Sequence, residues 1–125
     1  MFHTLKTMEQ IQQIYLNSLG ITFYWEKEEG IIPSRIQVIF KEIGLFFTIA
    51  ELKDFNYLID ESIAKNSCCE NCSLKNANCK FLLKTPLYPL DLSVSMDELK
   101  EIKDLVNGTL FKIQMEIYFN GEGKN

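Results

Sequence analysis

The first apolar positions of the chain, Leu5, Met8, Ile11, Ile14 and Tyr15, recur at spacings of three and four with Gln and Glu between them, the signature of an amphipathic helix. The spacing predicts an N-terminal helix over 4–17, stopped by Gly20. A hairpin competes for part of this stretch. Ile14-Tyr15-Leu16 and Ile21-Thr22-Phe23-Tyr24 are β-branched and aromatic runs on either side of Asn17 to Gly20, and such residues suit a pleated surface. Phe23-Tyr24-Trp25 then reads as strand, and the charged run Glu26 to Gly30 as a solvated turn.

The chain repeats part of itself at an offset of 47: Thr48 to Ile59 lies over Ser95 to Val106, with Glu51/Glu98, Leu52/Leu99, Lys53/Lys100 and Leu58/Leu105 identical. Each copy opens Thr/Ser-x-x-Glu. This is a capping box, in which the hydroxyl accepts from the N3 amide and the Glu returns to the cap amide. Upstream, Arg35 to Phe40 and Leu45 to Phe47 flank a turn at Lys41 to Gly44, while Lys80 to Thr85 and Leu90 to Val94 flank Pro86 to Pro89. The pattern predicts one α+β domain over 1–125, built from two duplicated strand–strand–helix halves, about 35–64 and 80–119, that share one core. A Cys-rich junction over 65–79 joins them. Leu52, Phe55, Leu58 and Ile59 are expected to face Leu99, Ile102, Leu105 and Val106 or the sheet beneath. The tail stays open between two readings: Phe111, Ile113, Met115, Ile117 and Phe119 alternate like a strand, while Val106, Leu110, Ile113 and Ile117 continue a helical stripe.

Composition bounds these readings. At 125 residues, 46% hydrophobic and 24% charged, the chain is that of an ordinary folded domain and not of a disordered or coiled-coil protein. Lys6, Glu9, Gln10, Gln12 and Gln13 interrupt any signal-peptide core, and apolar stretches such as Ile43 to Ala50 are far shorter than the ~20 residues of a membrane-spanning helix. A cytoplasmic protein is expected. Twelve lysines against one arginine fit the codon usage of an AT-rich bacterial genome.

One segment carries candidate chemistry. All four cysteines, Cys68, Cys69, Cys72 and Cys79, fall in the junction. Clustered thiols in a reducing compartment favour metal over disulfide. Zn²⁺ takes four tetrahedral thiolates at about 2.3 Å, and Cys69-x-x-Cys72 has the spacing of half such a site. Four thiolates leave no open position for a catalytic water, so zinc here is expected to be structural. Free thiols, an iron–sulfur cluster and disulfides such as Cys68 or Cys69 with Cys79 are the alternatives.

The chain resembles a family of short uncharacterised Bacteroidetes proteins, classed as a domain of unknown function. The likeness spans residues 35 to 119 and rests on Lys84-Thr85-Pro86, the strand Leu90-Asp-Leu92-Ser-Val94, Ser95-x-x-Glu98-Leu99 and the cysteine cluster. It implies no known activity and inclines the tail toward helix. Family members often carry a further Cys-x-x-Cys before the first hairpin; Trp25 to Pro33 holds none.

Charge adds one refinement. Ser62 to Thr85 carries Lys65, Lys75, Lys80 and Lys84 against Glu70, a net +3 in a chain of net −4, so the remainder is −7. This island would offset an anionic thiolate–zinc site. It also allows a weak nucleic-acid binder, although Phe81, the one local aromatic for stacking, is expected in the core. His3 is the lone histidine and gives a nucleophilic triad little to build on. No phosphate-binding glycine motif occurs. Trp25, Tyr88, Pro86 and Pro89 read as a core aromatic and a rigid turn before they read as a ligand surface. The expectation is a small non-enzymatic binding or adaptor protein with a protein partner and a structural zinc. An iron–sulfur or thiol redox carrier is the first rival and a nucleic-acid binder the second.

Overall fold

The computed structural model describes residues 11–26, 30–66 and 80–123. Four strands, β1 (Gln12–Leu16), β2 (Gly20–Tyr24), β3 (Arg35–Phe40) and β4 (Ile43–Thr48), form an antiparallel meander in that order. Helix α1 (Ile49–Asn66), the hairpin β5 (Phe81–Lys84) and β6 (Asp91–Val94), and helix α2 (Met96–Gly123) follow. The fold is α+β. Both helices lie on one face of the large sheet: α2 touches β1 and β2, α1 touches β4, and the helices pack on each other, with β5 against α1.

The core follows the predicted alternation. Ile36, Val38 and Phe40 of β3 and Leu45 and Phe47 of β4 point inward to meet Leu52, Phe55 and Ile59 of α1 and Leu99, Ile102, Leu105 and Val106 of α2, all of them buried. Phe47 and Phe55 pack as tilted rings 5.4 Å apart. Both capping boxes close reciprocally. The Thr48 amide donates to Glu51 Oε1 at 2.9 Å and the Glu51 amide to Thr48 Oγ1 at 3.0 Å. The Ser95 and Glu98 amides repeat the exchange at 3.0 and 3.1 Å. Each helix therefore starts where its cap dictates.

Three expectations are corrected. Residues 12–16 of the expected N-terminal helix are strand β1, and residues 4–10 lie outside the described residues. The hairpin wins because its turn satisfies itself: Asn17 Oδ1 accepts from the amides of Leu19 and Gly20 at 2.9 and 3.0 Å, an Asx turn. A register shift between Gln13 and Tyr15 lets Ile14 and Tyr15 both pack against the core. Gly20 does not stop a helix; it opens β2, where a Cβ would sit 2.2 Å from the Ile39 carbonyl oxygen. Secondly, strand, strand and capped helix do recur, but not as equivalent halves. One hairpin belongs to a four-stranded sheet and the other stands as a two-stranded sheet, and their helices have 18 and 28 residues. Thirdly, the first turn is two residues, since Phe40 pairs with Ile43, and Gly44 lies inside β4.

The tail is helix, running unbroken through Asn107-Gly108. Gly108 is the point where α2 meets β1: a Cβ there would lie 2.4 to 2.7 Å from three atoms of the Tyr15 ring. Around it, Tyr15 Oη donates to both Asp104 oxygens at 3.1 Å, Asn17 Nδ2 donates to the Glu101 carbonyl at 2.9 Å, and Ser18 Oγ donates to Glu101 Oε1 at 2.9 Å. Beneath it, the fully buried hydroxyls of Thr22 and Thr109 bond at 2.7 Å, and Thr109 Oγ1 donates onward to the Leu105 carbonyl at 2.6 Å.

Two stability outcomes follow from this contact. Gly108→Ala destabilises the protein by about 1–3 kcal/mol through overpacking, against the ~1 kcal/mol that alanine gains over glycine in a helix. Denaturant unfolding of the single and double variants shows the cost shrinking when Tyr15 is also reduced to Ala. Tyr24 tests the opposite case. Its hydroxyl is buried among the described residues without a hydrogen-bond partner, and burial, with Glu116 nearby, pushes its pKa up to about 12. Tyr24→Phe removes an unpaired polar atom and leaves stability unchanged or higher by up to ~1 kcal/mol, read from the same unfolding curves.

Candidate functional site

The predicted ligands Cys68, Cys69, Cys72 and Cys79 all lie outside the described residues, as do Lys75 and His3. What the structure does place is the pair of anchors on which their segment hangs. α1 ends at Asn66 and β5 begins at Phe81. Both ends border one open cavity of about 600 Å³, lined by Leu58, Ser62 and Asn66 from α1 and by Phe81, Leu82 and Lys84 from β5, among others. The α1 end is held by Asn66 Nδ2, which donates to the Ser62 carbonyl at 2.8 Å and its hydroxyl at 3.2 Å. The β5 end is held by ladder pairing from Phe81 opposite Val94 to Lys84 opposite Asp91, with the far loop closed by Thr85. Its hydroxyl donates to the Leu90 carbonyl at 2.7 Å and accepts from the Leu87 amide at 3.1 Å. The four-cysteine segment thus connects two fixed points that face the same space. Among the described residues, no group of three His, Cys, Asp or Glu side chains is arranged to hold a metal.

Sequence distance misjudges the lysine island. Lys65 and Lys84 line the cavity with Glu61 and Asp91, carboxylates that lie just outside the window counted along the chain. Lys80 contributes to the field at Glu98. The described lysines of the island therefore share their surface with acids, and a uniformly basic patch does not form there. Phe81 is half-buried, packed against the core as expected while also lining the cavity; Leu58, expected to face α2 or the sheet, is half-buried at the cavity wall. Trp25 follows the end of β2 and Tyr88 lies in the β5–β6 loop, and neither lines this cavity.

Two surfaces escaped the sequence reading. On the outer face of the large sheet, Trp25 stacks edge-on to Phe23 at 5.0 Å and donates to Gln37 Oε1 at 2.9 Å, and Arg35 lies over the Phe46 ring at 5.7 Å. The signal was present in the alternation of β2 to β4, whose outward positions Phe23, Gln37 and Phe46 stand in register. The second surface is the far end of α2, where Phe111, Met115, Ile117, Tyr118 and Phe119 are all exposed. No helix among the described residues is long and apolar enough to cross a membrane.

Lys41 pairs with Glu98 and so binds the β3–β4 turn to the first turn of α2. Lys41 holds a left-handed φ of 55° to make that turn. The Lys41 ammonium, followed by the Ser95 amide, holds the Glu98 carboxyl below the usual glutamate range. A depressed folded-state value means stability that is complete at neutral pH and lost as pH falls through the carboxylate range. Glu98→Gln keeps the capping geometry while removing the charge. The expected outcome is a loss of about 1 kcal/mol at pH 7 and a flatter decline of melting temperature between pH 7 and pH 3 than in the parent chain, followed by circular dichroism.

Compared with known proteins, the chain matches no family model, no curated protein and no solved structure.

Proposed function

We propose that this protein is a small cytoplasmic, non-enzymatic binding or adaptor protein in which Cys68, Cys69, Cys72 and Cys79 hold one structural Zn²⁺. The observation that carries the reading is topological. All four thiols lie in the single connection between α1 and β5, whose two anchors border one cavity. The β5–β6 hairpin is not part of the large sheet; it is held by Leu83, Leu92 and Val94 in the core and by β5 against α1. A metal clasp at its root would reinforce that attachment, and four thiolates are a complete donor set for zinc. A protein partner is supported by the outer sheet face, where Trp25, Arg35 and Phe46 gather residue types that dominate protein interfaces. The mixed charges around Lys65 and Lys84 lend no support to a nucleic-acid partner.

The test is elemental analysis of the full chain purified without a metal-affinity tag. One zinc per chain is expected. Cys69→Ser/Cys72→Ser loses that zinc and melts roughly 10 °C lower, as does the parent chain after chelation. A metal-free parent, or a variant that melts with the parent, overturns the zinc clasp. Bound iron with the visible absorbance of an iron–sulfur centre transfers the same cysteines to a redox carrier.

A further inference from the structure

We draw no further inference here: the strongest candidate, the apolar stripe of Phe111, Met115, Tyr118 and Phe119 at the far end of α2, is an exposed helix face, and nothing in the structure shows what covers it.

Discussion

The fold depends on how closely α2 can approach β1 and β2. Gly108 removes the side chain at the crossing and the Tyr15 ring fills the space. Thr22 and Thr109 then meet as a buried hydroxyl pair, and Thr109 Oγ1 also donates to the Leu105 carbonyl. Hydroxyls so deeply buried are tolerated because they are hydrogen-bonded. The β1–β2 turn depends on the same approach, since Asn17 and Ser18 reach acceptors on α2. With that contact set, α2 carries α1 through the buried leucines and isoleucines and through Lys103, which reaches Asn56 and Asp60 at 2.9 Å.

Much of this was legible in the residues themselves. The capping boxes were readable because a hydroxyl and a carboxylate three positions apart form a local device that needs no tertiary partner, and both helices begin where Thr48 and Ser95 place them. Strands β3, β5 and β6 fall within a residue or two of the apolar runs that announced them. The helical reading gave way over 12–16 because the β-branched and aromatic residues on both sides of Asn17 pair as β1 and β2. Asn17 both closes the turn locally and reaches acceptors on α2 more than 80 residues away. The tail posed the same ambiguity. Asn107-Gly108 resembles a turn in sequence, and only the Tyr15 ring explains why a glycine sits inside a helix there.

Charge and site differ in how far sequence carries. The lysine island was a count along the chain, and folding brought Glu61 and Asp91 into it from just beyond each boundary. The self-similarity at offset 47 marked the order of elements correctly, yet gave no hint that one hairpin would be absorbed into a larger sheet while the other stood apart. The cysteines are a different matter. Their clustering between α1 and β5 was visible at once from the sequence, and they lie outside the described residues.

The outer face of the sheet carries one further consequence. Trp25 is the only tryptophan in the chain, and it is half-exposed, stacked on Phe23 and tethered through its indole nitrogen to Gln37. Its fluorescence therefore originates from that face alone. Any molecule that settles over the strands and excludes water from the indole will announce itself by a blue-shifted emission, so the protein carries its own optical probe for whatever it meets there.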